Sequence, residues 1–279
     1  KYQLVILPDT VTLTGEFLEK VEKYLENGGK LLLSSASGLN PAKTEFALNL
    51  GLELVGKSEF VSDYLVPTVA APTSPVRSPF VVHGGACNIL AADDFEVLAT
   101  RREPYFNRAW DHFCSHQHTP DVTDSPFVGA VSNGNVAYFA HAIFTCYRQM
   151  GQPLYRDMVA DALRSLLPSP RVETNLPTAG RCSLMSQAEE NRWILHLLFA
   201  VPQKRGADQS SRAKHEESVE VIEDLYPLRD VACVVRTSQP VKNVRLVPSL
   251  VALDFEVSDG EVHFVLPELL CHAMVEIQH

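Results

Sequence analysis

The hydrophobic period of the chain changes near residue 170. Before that point, short apolar runs alternate with runs at helical spacing. After it, apolar residues recur at every second position. Leu4-Val5-Ile6-Leu7 is a branched apolar run ending at Pro8-Asp9, the pattern of a strand buried on both faces. Behind Thr14, Phe17, Leu18, Val21, Tyr24 and Leu25 fall on one helical face, and Glu16, Glu19 and Glu22 lie toward the positive end of the helix dipole. Asn27-Gly28-Gly29 closes the helix. Lys30-Leu31-Leu32-Leu33 is a second buried strand, running out into Ser34-Ser35-Ala36-Ser37-Gly38. Strand, helix, strand makes one right-handed parallel unit. A parallel sheet needs several such neighbours, and this chain opens on a strand at Lys1. The pattern therefore predicts a fragment of a larger protein, with further strands upstream.

Phe46 to Leu54 reads as a short helix that closes at Gly51. Ser58 to Arg77 carries Pro67, Pro72 and Pro75 and reads as irregular chain with short strand pieces. Phe80-Val81-Val82-His83 and Phe95 to Thr100 are strand candidates, and Arg101 to Thr123 is a polar, aromatic, histidine-rich loop. Asn133-Gly134 between Phe127–Val131 and Val136–Ala140 is a hairpin signal. Leu154, Met158, Val159, Ala162, Leu163, Leu166 and Leu167 mark an amphipathic helix, stopped by Pro168-Ser169-Pro170. The proline pair sets a domain boundary, 1–170 and 171–279. Beyond it lie alternating strands at Trp193–Phe199, Val219–Ile222, Val231–Arg236, Val244–Pro248, Leu253–Val257, Val262–Leu266 and Ala273–Ile277, with an Asp259-Gly260 hairpin turn. Many short strands at regular intervals predict an antiparallel β-sandwich. Gln203 to Ser218 reads as a mobile polar loop.

The 279 residues are enough for two domains, and 46% hydrophobic with 21% charged residues is ordinary for a globular protein. The net charge of −10 argues against nucleic acid and anionic membrane surfaces as partners. No apolar run approaches the ~20 residues of a membrane span. Six cysteines, Cys87, Cys114, Cys146, Cys182, Cys233 and Cys271, are scattered without framework spacing. They read as reduced thiols, which favours the cytoplasm.

The run Leu4-Val5-Ile6-Leu7-Pro8-Asp9, the helix after it and Glu26-Asn27-Gly28-Gly29-Lys30-Leu31-Leu32-Leu33 together resemble the β-galactosidase trimerisation domain. Gly134-Asn135-Val136-Ala137-Tyr138-Phe139, Tyr155-Arg156-Asp157 and Ala162-Leu163 are similar to the end of that domain. Glu189-Glu190-Asn191-Arg192 to Met274 resembles the β domain that ends some bacterial glycoside hydrolases. The resemblance implies an α/β flavodoxin-like (class I glutamine amidotransferase-like) domain followed by an antiparallel β-sandwich. It implies a non-catalytic accessory region, with the chain itself as partner in a homo-oligomer, a trimer in the family, and an upstream catalytic barrel carrying the paired carboxylates. No cofactor is implied.

His112, Cys114, His116 and His118 alternate, so an extended segment would put all four on one side, with imidazole and thiolate as zinc ligands. Known zinc spacings leave two or more residues between paired ligands, so the set reads first as a polar loop at an interface. Just upstream lie Tyr105, Phe106, Asn107, Arg108, Trp110 and Asp111. Aromatic rings with Asn, Arg, Asp and His suit a carbohydrate subsite, and Trp, Tyr and Arg also anchor protein interfaces. Residues 105 to 118 are thus candidates to lie near the active-site mouth of the parent enzyme, in the same or a neighbouring protomer. Two other classes remain open: a hydrolase using a metal or cysteine within 83–118, and a carbohydrate-binding module. For the hydrolase, Gly85-Ala86-Cys87-Asn88-Ile89 lacks the closing glycine of a nucleophile elbow and Ser35-Ala36-Ser37-Gly38 lacks the leading one. His141 has no assignable carboxylate, so Cys87 reads as a packing thiol and the serines as helix caps. His196 reads as a hydrogen-bonded core or face histidine before a ligand, and Glu189, Glu190, Glu220, Glu223 and Asp224 as solvated.

Overall fold

The structure is a computed structural model and describes residues 2–68, 78–206 and 219–279. It divides into two compact units, Lys1–Ser169 and Pro170–His279. The first holds β1 (Leu4–Leu7), α1 (Gly15–Glu26), β2 (Lys30–Ser34), β3 (Leu52–Lys57), β4 (Ser62–Pro67), β5 (Phe80–His83), β6 (Cys87–Ala91), β7 (Glu96–Pro104), β8 (Asp121–Ser132), β9 (Val136–Phe139), α2 (Ile143–Met150) and α3 (Pro153–Leu166).

Its main sheet is curled and mixed, in the order β1-β2-β9-β8-β7-β4-β5. β1, β2 and β9 are parallel, as the strand–helix–strand reading requires. The other four pair antiparallel, so the sheet is mixed where the flavodoxin-like expectation calls for a parallel one, and that expectation is not confirmed. β1 is an edge strand with Ile6 partly exposed, not a strand covered on both faces.

The two sheet faces bury different residues because side chains alternate along each strand. Leu31, Leu33 and Tyr138 pack on one side with Val21 of α1 and with Cys87 and Ile89 of β6. Leu32, Ala137 and Phe139 pack on the other with Ile143 and Cys146 of α2 and Met158, Ala162 and Leu166 of α3. Phe17, assigned above to the apolar face of α1, is exposed. The helix expected over 46–54 is absent: Leu52–Lys57 is β3, paired antiparallel with β6. Phe46, Ala47 and Leu52 still reach the core, so their apolar spacing reports burial and not a helical period. The Asn133-Gly134 hairpin joins β8 and β9 as read, with Gly134 in the left-handed region.

Helix α2 went unread in the sequence. Its start is held from a distance by Asp9, whose Oδ2 accepts from the Thr145 backbone N (2.7 Å) and the Thr145 hydroxyl (2.6 Å). A carboxylate at a helix N-terminus satisfies free N–H groups and complements the dipole. A local capping pattern cannot reveal a cap supplied from so far along the chain.

The second unit holds β10 (Val172–Thr174), β11 (Arg181–Gln187), a 3₁₀ turn (Ala188–Glu190), β12 (Arg192–Leu198), β13 (Gln203–Arg205), β14 (Val219–Val221), β15 (Leu228–Arg236), β16 (Asn243–Val247), β17 (Phe255–Ser258), β18 (Glu261–Leu269) and β19 (His272–Gln278). Two four-stranded antiparallel sheets form, β10-β15-β18-β17 and β11-β12-β19-β16. Trp193, Leu195, Leu197, Val275 and Ile277 of one sheet share a core with Val231, Cys233, Val235, Val262, Phe264 and Leu266 of the other. The period-two pattern is what such packing demands. The Asp259-Gly260 turn has both residues at positive φ, as a tight hairpin requires. Of the loop read over Gln203–Ser218, Gln203–Arg205 pairs with β14 and residues 207–218 lie outside the described residues.

Gly129 of β8 marks a close approach. A Cβ there would stand 2.4 Å from the Leu65 side chain and 3.0 Å from the Ala99 carbonyl oxygen. The oxygen belongs to the adjacent strand β7 and cannot yield. Gly129→Ala is expected to destabilise the first unit by about 1–3 kcal/mol, read as a lower denaturant midpoint.

Candidate functional site

The candidate residues occupy the connection between β7 and β8, at the end of the sheet where β4 begins and β5 ends. Alternation along β4 turns Ser62 and Tyr64 to one face and Asp63 to the other. Ser62 Oγ is 2.9 Å from His83 Nδ1, across the β4–β5 pair. The Tyr64 hydroxyl donates to the Thr119 carbonyl at 2.6 Å and pins the far end of the loop. Asn107 ties the near end: its Oδ1 accepts from the Val61 N–H (2.9 Å) and its Nδ2 donates to the Glu59 carbonyl (2.6 Å). The hydroxyl of buried Thr119 donates to the Phe106 carbonyl, closing the loop at its base.

This fixed base presents an exposed tip. Trp110 is 91% exposed, Phe113 71% and Tyr105 64%. Arg108, Trp110, Phe113 and Gln117 line an open cleft of about 580 Å³ with Ser62 and His83. Burial, then the neighbouring His118, pushes the His83 ring below the ordinary histidine value, so it is held neutral at pH 7. Burial also raises the Tyr64 phenol, keeping it a hydrogen-bond donor. The cleft therefore offers two aromatic faces, one guanidinium and a neutral imidazole paired with a hydroxyl. That set can stack on an apolar ring face and bond hydroxyl groups.

Of the residues singled out in the sequence, Arg108 and Trp110 share the cleft. Tyr105, Asp111 and His116 are exposed on the same loop, and Asn107 is a tether. The extended arrangement that would gather His112, Cys114, His116 and His118 does not form. Ala109 and His112 exchange backbone hydrogen bonds in a tight turn, which stacks the His112 ring on Phe106 at 3.8 Å. His118 turns inward against His83 and Tyr64, and Cys114 faces the carbonyls of His116 and His118. Among the described residues no group of three or more His, Cys, Asp and Glu side chains could hold a metal ion.

The cysteine and serine elbows fare no better. Cys87 lies within strand β6, is buried, and its thiol is pushed up by burial, so the nucleophilic thiolate is disfavoured. Ser34 and Ser37 cap no helix. Ser34 Oγ donates to Asp9 and Ser37 Oγ accepts from the Val11 N–H, fastening the segment after β1 to that after β2.

Sequence reasoning missed the polar network beneath the loop. Asp63, Arg101 and His141 are almost wholly buried. The Arg101 guanidinium donates to Asp63 Oδ2 through Nε (2.9 Å) and Nη2 (2.6 Å), and through Nη1 to Asn88 Oδ1 (3.0 Å). His141 Nε2 bonds the other oxygen, Asp63 Oδ1. His141 thus has a carboxylate partner that no local spacing discloses, since Asp63 and His141 are 78 positions apart. Burial by itself would raise the Asp63 carboxyl, but His141 and Arg101 outweigh it and hold it below the ordinary value.

Residues 1–164 match the model of the β-galactosidase trimerisation domain, and the chain belongs to that family. Among solved structures, α-L-fucosidase isoenzyme 2 from Paenibacillus thiaminolyticus is 37% identical over all of this chain, with a TM-score of 0.91. This chain spans 41% of that protein's length. The β-galactosidase from Bacillus circulans sp. alkalophilus aligns over 99% of this chain and 33% of its own at 13% identity, with a TM-score of 0.49. No curated protein matches.

The Asp63 network supplies a test of its own. Asp63→Asn removes the charge that the buried Arg101 guanidinium faces and is expected to cost about 3–5 kcal/mol at pH 7. Since folding lowers the Asp63 pKa, its contribution is complete above the unfolded value and is lost as pH falls through the folded one. Denaturation curves should therefore show the wild-type advantage shrinking below about pH 4.

Proposed function

We propose that this chain is the non-catalytic accessory region of a glycoside hydrolase, serving oligomer assembly and shaping the mouth of the active site. The observation that carries the reading is the match of the whole chain, at 37% identity and a TM-score of 0.91, to less than half of an α-L-fucosidase. The family description, a trimerisation domain, supports self-association, and in this reading a catalytic domain lies elsewhere in the parent protein. The parallel strands β1, β2 and β9 support kinship with the class I glutamine amidotransferase-like fold for that part of the first unit.

Within this reading the 105–118 loop is the working surface. Its base is tied by Asn107, Thr119 and Tyr64, so presenting Trp110 and Phe113 to a partner protomer or a sugar incurs little further ordering cost. Exposed aromatics on a pre-ordered base are a binding device. An α-L-fucoside is the first substrate to try, on the strength of the 37% relative.

The test uses the full-length parent enzyme. Trp110→Ala and His116→Ala are each expected to raise KM for an aryl α-L-fucoside by about 5- to 30-fold, a loss of roughly 1–2 kcal/mol of binding. If KM, kcat and the oligomer mass from light scattering all stay at wild-type values, the loop has no such role.

A further inference from the structure

The outer face of the β11-β12-β19-β16 sheet carries a histidine pair that the accessory role leaves unused. Register sets His196 of β12 opposite Met274 of β19, and Leu198 opposite His272. His196, His272 and Met274 therefore leave the same face of the sheet. His196 Nδ1 and His272 Nε2 stand 3.3 Å apart. The ring centroids are 5.5 Å apart and the planes differ by 10°. Since the centroids lie farther apart than the facing nitrogens, the rings meet end to end at those nitrogens.

Two neutral imidazoles at this separation share a single N–H···N bond. The spacing also suits a metal ion, because two imidazole nitrogens held about 2.0–2.1 Å from a tetrahedral centre stand about 3.3 Å apart. The surroundings narrow the choice of ion. His196 and Met274 line one pocket of about 560 Å³, with Met185 and Ile194 among its other walls. Thioethers are soft donors and select copper(I), whereas imidazoles serve copper and zinc alike. Arg192, on the same pocket wall, and Arg245 both donate to buried Glu276, so part of their charge is already met.

We propose that His196 and His272 form a two-imidazole seat for a late transition-metal ion, copper(I) before zinc, with the Met274 thioether as the soft third donor. The bound ion replaces the N–H···N bond, the ring that donated it moving its proton to its other nitrogen so that both facing nitrogens present lone pairs, and bridges strands β12 and β19. The seat uses no residue of the 105–118 loop, so it stands or falls apart from the function proposed above.

The test titrates the 279-residue chain with copper(I) against a competing chelator, and separately with Zn²⁺. His112, Cys114, His116 and His118, and the accessible thiols Cys182 and Cys271, offer other donors, so the titration is repeated in an H112Q/C114S/H116Q/H118Q/C182S/C271S background. One equivalent of copper(I) is expected to remain there, weakened about tenfold or more by His196→Gln or His272→Gln. X-ray absorption should show one sulfur scatterer, lost in Met274→Leu. His272 is exposed and His196 and Met274 are half-buried, and circular dichroism checks that the variants fold. Copper binding that disappears in that background, or that ignores His196→Gln and His272→Gln, overturns the seat. Zinc held more tightly than copper(I), with Met274→Leu silent, overturns the thioether's part and the proposal as stated.

Discussion

A carboxylate, a guanidinium and an imidazole, all shut away from water, hold the first unit together across its sheet. Asp63 belongs to β4, Arg101 to β7, and His141 follows β9. Through Asn88 the guanidinium also reaches β6, which packs over one face. Removing three such groups from water costs several kcal/mol each, which their mutual bonds must offset, and of their polar atoms His141 Nδ1 is buried without a hydrogen-bond partner. Asp63 meets two partners with its two oxygens, and Arg101 spends its fork on one carboxylate and one amide. The antiparallel strands are thereby fixed in one position against the parallel ones, and the segment entering β4 becomes a firm footing for the loop above.

That footing explains how a long polar connection keeps a defined shape. The 105–118 loop contains no regular element, yet its ends are bonded to residues 59 and 61 before β4 and to Tyr64 within it. Its tip is left with large rings facing water. A ring as exposed as Trp110 gains nothing for the fold of this chain.

The second unit shows the same economy with charge. Glu276 is fully buried on a strand of otherwise apolar inner residues, and Arg192 and Arg245 close over it. Hydrogen bonds from the two arginines offset the cost of burial and hold the carboxyl below its ordinary value. The face that carries this triad also carries the histidine pair, so its polar groups are arranged in register and not scattered as on a solvated face.

Much of the fold was legible because it rests on local periods. The β1–α1–β2 unit, the Asn133-Gly134 and Asp259-Gly260 turns, helix α3 and the alternating strands after residue 170 each follow from spacing or turn chemistry within a short window. Where burial came from distant neighbours, the same signals misled. Phe46 to Leu54 looked helical because its apolar residues serve a core shared with β6, and α2 was invisible because Asp9 caps it. Arg108 and Trp110 could be named in advance as aromatic and cationic loop residues, but their cleft partners Ser62 and His83 come from strands. The four alternating His and Cys positions separated because a turn at Ala109–His112 broke the extended path they needed. The sequence by itself determined which segments could be strands or helices, since that depends on neighbours a few residues away. Which charges could be buried, and which loop residues would meet, was decided only by tertiary structure, because both depend on partners brought together from across the chain.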